Sequence, residues 1–224
     1  NVHWSVLLIA VLLGASLAQS IGWAVALVGV VAFLVSILVH EFAHALTARR
    51  FGVETESIPL WALGGVARLS REAPSAKAEG WIAAAGPIAS LVVGVGGLTA
   101  WWLAGGSDNG QFVAMLGWLG LINAALAVFN LIPGAPLDGG RIVKAVRWAR
   151  HGDRYRAAQE AGRAGVVVGW TMAGLGFALI VRDQSGIWLM ITGAFIAVNA
   201  RVEISAAAIA GRLAGITVRD LTWF

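Results

Sequence analysis

The chain has no cysteine and few charged residues. The absence of cysteine among 224 residues excludes a disulfide framework, a thiolate nucleophile and a cysteine-ligated metal. Charged residues make up 12% of the chain, about half of the roughly 25% usual for a soluble domain. With 58% hydrophobic residues and a mean hydropathy of +0.79, such a chain cannot cover a water-facing globule. The composition therefore excludes an ordinary soluble enzyme and a disordered tail, and it predicts an integral membrane protein.

Basic residues outnumber acidic ones, and tryptophan far outnumbers tyrosine. Sixteen lysines and arginines against twelve acidic residues give a net charge of +4 and a pI of about 10.6. A nucleic-acid-binding protein would gather these cations on one face, whereas here they lie between apolar segments, so we expect no nucleic-acid partner. Eleven tryptophans against one tyrosine fit aromatic rings at membrane–water interfaces. We therefore expect the lipid bilayer to cover the protein surface.

Six apolar runs predict an all-α polytopic membrane protein with about six transmembrane helices. The runs are Trp4–Ala18, Ile21–Phe51, Trp81–Leu103, Phe112–Ile132, Ala164–Val181 and Ile187–Ala200. A spanning helix needs about 20 residues, which the third and fourth runs supply. When the segment between Phe51 and Trp81 is placed inside, fifteen of the sixteen lysines and arginines fall on that side. The positive-inside rule then predicts that both termini face the cytoplasm.

The segment Ser57–Ser70, which reads SIPLWALGGVARLS, interrupts the helical pattern after the second run. Pro59 and the Gly64–Gly65 pair disfavour a helix, and the flanking residues are compatible with strands. Irregular backbone at membrane depth is tolerated only where it lines a protein cavity or an aqueous cleft. The segment is therefore predicted to form a short β-hairpin or a re-entrant loop.

Two histidines and a glutamate near the end of the second run indicate a metal site. In LVHEFAHALTARR, His40 and His44 are four residues apart, so both rings project from one face of a helix and can reach one Zn²⁺ ion. Glu41 beside them can serve as a general base. Three ionisable side chains within one turn of a membrane helix are costly and persist mainly where they pair, bind or react. The alternative is a polar cluster satisfied by neighbouring helices.

A third metal ligand is expected at the inner end of the fourth run. A catalytic zinc ion usually has three protein ligands, and the candidate is Asp138 in NLIPGAPLDGG. Pro133 and Pro136 break the helix there, and broken backbone at membrane depth commonly forms a site. Because the second and fourth runs both travel from outside to inside, we expect Asp138 at the depth of the histidines. The alternative is that Asp138 only caps the Gly-Gly turn that follows it.

These motifs together resemble those of the site-2 proteases, which are intramembrane zinc metalloproteases. HEFAH on a membrane helix, GPIAS on the next and NLIPGAPLDGG after it follow the family's order over nearly the whole chain. The resemblance implies that one zinc ion is held by His40, His44 and Asp138 and that Glu41 activates the water. It also implies that Asn130 stabilises the oxyanion or holds the substrate strand.

The resemblance extends to helix packing and to substrate binding. The family's GxxxN/S/G motif, taken here as a helix-packing motif, matches Gly86 and Ser90. The substrate-clamping β element of the family corresponds to the segment near Ile58–Leu69. The residues expected to contact an extended substrate are Ile58, Pro59, Leu60, Trp61, Ala62, Leu63, Gly64 and Gly65. The implied substrates are single-span membrane proteins, cut within their transmembrane segments.

The predicted domain organisation is a protease core at 1–214 followed by a linker at 215–224. Only 29 residues separate Phe51 from Trp81, too few for the PDZ domain that some relatives insert there. GITVRDLT, at Gly215–Thr222, is similar to the approach to the nucleotide-sensing CBS modules of other relatives. We therefore expect the linker to lead to a regulatory domain that is absent from this chain.

Three other functions fit these features less well. A zinc or proton transporter would line a path with several polar groups, whereas here they are expected at one depth. A metal-binding scaffold without activity would have no use for Glu41, and a purely structural membrane protein would have no use for the whole motif. We therefore expect an intramembrane endopeptidase in a prokaryotic cell membrane, with its zinc site towards the cytoplasm.

Overall fold

The computed structural model describes residues 4–57, 60–61, 64–65, 68–69, 72–106, 109–183 and 186–214. Seven helices and four short strands lie within these ranges. The helices are α1 (Trp4–Ile21), α2 (Trp23–Arg50), α3 (Ala76–Leu103), α4 (Gln111–Asn130), α5 (Asp138–His151), α6 (Arg154–Asp183) and α7 (Ile187–Leu213). The strands are β1 (Thr55–Ser57), β2 (Leu60–Trp61), β3 (Gly64–Gly65) and β4 (Arg68–Leu69). The chain divides into two compact units, one with α1–α4 and the strands and the other with α5–α7.

Five of the described helices, α2, α3, α4, α6 and α7, are long and apolar enough to cross a membrane. Only 22% to 39% of the most apolar window of each helix is buried, so most of its apolar side chains face outward. Exposed tryptophans such as Trp23 and Trp188 belong to these outward faces. Apolar surface on this scale is stable in contact with lipid rather than water. The prediction of a helical, polytopic membrane protein is therefore confirmed.

The number of membrane helices differs from the prediction of about six. In α1, the described apolar stretch is Ala10–Ile21, which is shorter than the five candidate spans. The helix α5 is polar and does not correspond to any of the six apolar runs. The described part of the chain therefore has five candidate spans, with α1 and α5 in addition.

Capping residues set helix boundaries that hydropathy alone does not reveal. The break between α1 and α2 falls at Gly22, whose φ of 77° favours glycine, rather than at the polar pair 19–20. The helix α3 begins five residues before the apolar run, because the side chain of Ser75 accepts a hydrogen bond from the backbone N–H of Ala78 at 3.2 Å. Asp153 accepts hydrogen bonds from two backbone N–H groups of the first turn of α6, so that helix begins ten residues before its apolar run.

The segment between α2 and α3 contains short strands in place of a helix. Strand β1 pairs with β4, and β2 pairs with β3, both antiparallel. In the inner pair, Leu60 lies opposite Gly65, and Trp61 lies opposite Gly64. The connecting residues, including Ile58, Pro59, Ala62 and Leu63 from the predicted substrate strand, lie outside the described residues. A complete hairpin therefore stays a prediction.

Close backbone contact fixes α4 in the first unit. A methyl group at Gly94 of α3 would lie 2.9 Å from the backbone nitrogen of Ala124 in α4, so the two helices touch without intervening side chains. Trp118 of α4 packs edge-on against Phe33 of α2, with ring centroids 6.0 Å apart. The helices α2, α3 and α4 thus form one packed group, and this group carries the buried polar residues of the unit.

The second unit combines a close helix pair with a polar surface helix. A methyl group at Gly169 of α6 would lie 2.5 Å from the backbone nitrogen of Ala197 in α7. The helices α5 and α6 are joined by an ion pair between Arg147 and Glu160, with Nε of Arg147 2.7 Å from Oε2 of Glu160. The cationic segment Arg141–Arg163 is helical in α5 and in the first turns of α6.

Candidate metal centre

The helix α2 brings two imidazole rings together inside the first unit. His40 and His44 lie one turn apart on α2, and only 4% and 5% of their surfaces are exposed. Their ring centroids are 4.8 Å apart, and their Nε2 atoms are 3.1 Å apart. Glu41, next in sequence to His40, is also buried. The i, i+4 spacing of the sequence therefore produces the predicted pair of converging ring nitrogens.

The helix α3 holds the outer nitrogen of each ring. Nδ1 of His44 donates a hydrogen bond to the carbonyl oxygen of Ile82 at 2.6 Å. Because a carbonyl oxygen can only accept, Nδ1 of His44 carries the proton and Nε2 of the neutral ring keeps a lone pair. Nδ1 of His40 lies 2.9 Å from Oγ of Ser90. A hydrogen bond at the outer nitrogen is the usual arrangement for a histidine that binds a metal through the other nitrogen.

The space in front of the two Nε2 atoms fits a zinc ion. Two zinc–nitrogen bonds of about 2.0 to 2.1 Å at a tetrahedral angle place the nitrogens roughly 3.3 Å apart, close to the 3.1 Å found here. Gly86 of α3 faces the same space. A methyl group there would lie 2.5 Å from Nε2 of His40 and still closer to Nε2 of His44. The absence of a side chain at Gly86 therefore keeps open the volume that a metal would occupy.

Asp138 is the first residue of α5 in the second unit, and it is partly buried. The turn before it is tight, because a methyl group at Gly139 would lie 2.5 Å from the carbonyl oxygen of Leu131. This close approach fixes the backbone beside the Asp138 carboxylate. His40, His44 and Asp138 each offer one ligand atom of a kind that could hold a metal ion. The donor set of two imidazoles and a carboxylate suits zinc.

Asn130, the last residue of α4, is partly buried. Its Nδ2 group donates a hydrogen bond to the carbonyl oxygen of Leu126 at 3.1 Å. One of its two N–H bonds is thus used within its own helix. A side-chain amide has a second N–H donor, which a bound substrate can use.

Several buried polar residues of the first unit were not expected from the sequence. Ser36 lies one turn before His40 on α2, so extending the four-residue spacing backwards would have found it. Glu79, which precedes the predicted apolar run Trp81–Leu103, is buried in the first turn of α3. Asn123 of α4 is fully buried, and its Oδ1 atom has no hydrogen-bond partner in the part of the chain that the structure describes. An isolated asparagine in an apolar run carries no sequence signal for such a position.

The fold and the site together define a membrane protein with a metallopeptidase-type centre on paired helices. Residues 28–106 and 105–173 match peptidase family M50, and the match extends over more than half of the chain. The chain therefore belongs to peptidase family M50. The predicted resemblance to site-2 proteases is confirmed.

Two bacterial relatives are similar to this chain in sequence, and a solved archaeal structure is similar to it in fold. Rip3 of Mycobacterium tuberculosis, provisionally named a zinc metalloprotease, is 43% identical over 98% of this chain and 60% of its own length. A relative from Synechocystis, also provisionally named a zinc metalloprotease, is 33% identical over 88% of this chain and 52% of its own length. The chain thus spans about half to three fifths of these relatives. The solved site-2 protease from Methanocaldococcus jannaschii is 30% identical, with a TM-score of 0.66, covering 91% of this chain and 89% of that one.

Proposed function

We propose that this protein is an intramembrane zinc endopeptidase that hydrolyses a peptide bond within a transmembrane segment of its substrate. The observation that carries the proposal is the pair of buried imidazoles in a candidate membrane span, with Nε2 atoms 3.1 Å apart and Glu41 buried beside them. Ionisable groups in a membrane helix are costly unless they bind or react. The zinc metalloprotease names of the relatives support both the metal and the class of reaction.

One zinc ion per chain is held by His40, His44 and Asp138. The spacing of the two Nε2 atoms and the open volume at Gly86 support the histidine ligands. Asp138 supplies the carboxylate of the three-ligand set that catalytic zinc sites use, in which one position stays open. When bound, zinc polarises the scissile carbonyl and makes a water molecule nucleophilic near neutral pH.

Glu41 is the general base and then the general acid. It accepts the proton that water loses as the water oxygen attacks the carbonyl carbon, and it delivers that proton to the leaving nitrogen as the C–N bond breaks. The products are a new carboxyl group and a new amine. The burial of Glu41 in the same helical turn as the histidines supports this role, since proton transfer requires a group held close to the reacting atoms.

Asn130 stabilises the oxyanion or holds the substrate strand. The side-chain amide can keep its bond to the carbonyl oxygen of Leu126 and still donate its second N–H to an oxygen of the substrate. A donor of this kind acts on charge that develops in the transition state. We therefore assign Asn130 to turnover rather than to metal binding.

The substrate is engaged as an extended strand along Ile58–Leu69, which forms a hairpin. A transmembrane helix has its amides bonded internally, so it must unwind before hydrolysis, and the freed backbone groups need partners in lipid. Addition of a strand to a sheet edge supplies those partners. The extended backbone of β2 and β3 supports this mode of binding. Residues that weaken a helix in the substrate should therefore favour cleavage.

The physiological setting follows from the charge distribution and the family. We propose single-span membrane proteins as substrates, and a prokaryotic cell membrane in which α1 forms the sixth transmembrane helix. Both termini and the zinc site lie on the cytoplasmic side, because nearly all lysines and arginines fall on one side of the predicted topology. The protease core comprises residues 1–214, and residues 215–224 form a linker to a regulatory domain of the CBS type.

The proposed function is tested by removing the carboxylate ligand. We expect Asp138→Ala to lower zinc affinity by more than about 100-fold, beyond the 10- to 100-fold typical of changes to groups that only support a ligand. Cleavage of a membrane-spanning peptide should be lost in parallel. The measurements are chelator competition with zinc and mass spectrometry of the peptide.

Asp153→Asn is the matched control, because asparagine retains the side-chain oxygen that caps α6. This variant should bind zinc and cleave the peptide as the unaltered protein does. Unchanged zinc affinity and activity in Asp138→Ala would remove Asp138 from the site. The absence of cleavage by the zinc-loaded, unaltered protein would refute the proposed activity.

A further inference from the structure

We propose that Ser90 is a positioning residue whose hydroxyl group holds the His40 ring in each of the two tautomers that the metal site requires. This inference rests on the proposed zinc function, because it concerns how the protein presents a ligand. Oγ of Ser90 lies 2.9 Å from Nδ1 of His40. Ser90 is 1% exposed and His40 is 4% exposed, so bulk water cannot replace this contact.

The two histidines are supported by different chemical groups. His44 is bonded to the carbonyl oxygen of Ile82, an acceptor that fixes the proton on Nδ1. His40 is bonded to a hydroxyl group, which can donate or accept. A carbonyl oxygen permits a single tautomer of the neutral ring, whereas a hydroxyl group permits both.

Before a metal binds, the distance between the rings favours one arrangement of protons. Nε2 of His40 and Nε2 of His44 are 3.1 Å apart, which is a hydrogen-bond distance. In a neutral His44 ring the proton on Nδ1 leaves the lone pair on Nε2, so a hydrogen bond between the rings would take its proton from Nε2 of His40. Nδ1 of His40 then has a lone pair, and the hydroxyl group of Ser90 donates to it.

Metal binding requires the opposite arrangement at His40. Both Nε2 atoms would then present lone pairs to the same ion, so a neutral His40 ring would carry its proton on Nδ1. The hydroxyl oxygen of Ser90 becomes the acceptor of that proton. Both arrangements keep the ring neutral and the Nδ1 atom hydrogen-bonded, with rotation of one hydroxyl group as the change at Ser90.

The variant Ser90→Ala tests this role, because it removes the hydroxyl group and leaves Nδ1 of His40 without this partner. We expect zinc affinity, measured by chelator competition, to fall by about 10- to 100-fold, the usual effect of losing an outer partner of a ligand. The visible spectrum of the Co²⁺-substituted protein should change, because the ring is no longer held in one orientation. Ser90→Thr, which retains a hydroxyl group, should restore both the affinity and the spectrum.

Ser36→Ala is the matched control on α2. Ser36 is buried one turn before His40, but its Oγ donates to the carbonyl oxygen of Phe33 at 2.7 Å. The control should retain zinc affinity and the Co²⁺ spectrum. Unchanged affinity and spectrum in Ser90→Ala would overturn the proposal, as would an equal loss in Ser36→Ala, which would indicate a general packing effect.

The same variants separate this inference from the proposed activity. If the protein binds zinc with the expected dependence on Ser90 but cleaves no membrane-spanning peptide, the role of Ser90 stands and the proposed peptidase activity fails. If cleavage depends on Glu41 while Ser90→Ala matches the unaltered protein in affinity and spectrum, the peptidase activity stands and the role of Ser90 fails.

Discussion

Gly86 shows how a single residue of α3 determines what the histidines of α2 can bind. A methyl group at this position would meet Nε2 of both His40 and His44. In the sequence, Gly86 and Ser90 form a small-residue motif typical of helix packing, and nothing in that pattern indicates which way the helix is turned. The i, i+4 spacing correctly predicted that the rings of His40 and His44 converge, because both residues lie on the same helix. The partners on α3 depend on the rotation of a second helix, some 50 residues away.

We expect Gly86→Ala to prevent zinc binding while the protein still folds. The added methyl group would occupy the volume in front of both Nε2 atoms, and each neighbour is a ring fixed at Nδ1 by a hydrogen bond. Zinc content after purification, measured by atomic emission, should fall from about one ion per chain to near zero. Gly96→Ala on the same helix is the control, because a methyl group there meets nothing within 4 Å. Full zinc content in Gly86→Ala would contradict the assigned metal position.

Asn130→Ala should retain zinc and slow cleavage on the order of 10²-fold, the typical effect of losing one donor to an oxyanion. The measurements are zinc content and the rate of peptide cleavage. Asn199→Ala is the control, because Asn199 of α7 makes the same bond to a carbonyl oxygen four residues earlier, at 2.8 Å. A normal rate in Asn130→Ala would reduce Asn130 to a helix hydrogen bond of the same kind.

At the scale of helices and strands, the sequence predicted the existence of elements better than their ends. Hydropathy located the apolar part of α6, whereas the helix itself begins at Arg154. The cap at Asp153 is a local signal that could have corrected this boundary. The helix α3 begins in a stretch with Lys77 and Glu79, and charges in its first turns concealed its start. A hydropathy window reports contact with lipid, while a helix continues as far as its backbone hydrogen bonds and caps allow.

The strand segment before α3 supplies a prediction at this scale. We expect Leu60→Pro to weaken cleavage without loss of zinc, because proline removes a backbone N–H from the strand β2 and leaves the metal ligands intact. Leu60→Ala is the control, since it keeps the N–H and should cleave faster than the proline variant. The two variants are compared by initial cleavage rate and zinc content. Equal rates, or a bound peptide analogue that is helical at the zinc, would contradict strand addition.

At the scale of the whole molecule, composition predicted the environment and motif spacing predicted the family. A charged fraction of 12% and the five candidate membrane spans of the described residues both indicate a surface that contacts lipid. The number of helices was harder to predict, because a polar helix such as α5 leaves no mark on a hydropathy profile. The match with Rip3 covers 98% of this chain and 60% of the length of Rip3.

The measurement that tests the central claim most directly is mass spectrometry of a membrane-spanning peptide in lipid vesicles prepared in H₂¹⁸O. The vesicles contain either the zinc-loaded, unaltered protein or Glu41→Gln loaded with the same amount of zinc. We predict one cut inside the apolar segment of the peptide, one ¹⁸O atom in the new carboxyl group, and cleavage about 10²- to 10⁴-fold slower in Glu41→Gln. A cut outside the apolar segment, a product without ¹⁸O, or equal rates for the two proteins would contradict hydrolysis by a buried zinc centre with Glu41 as its base.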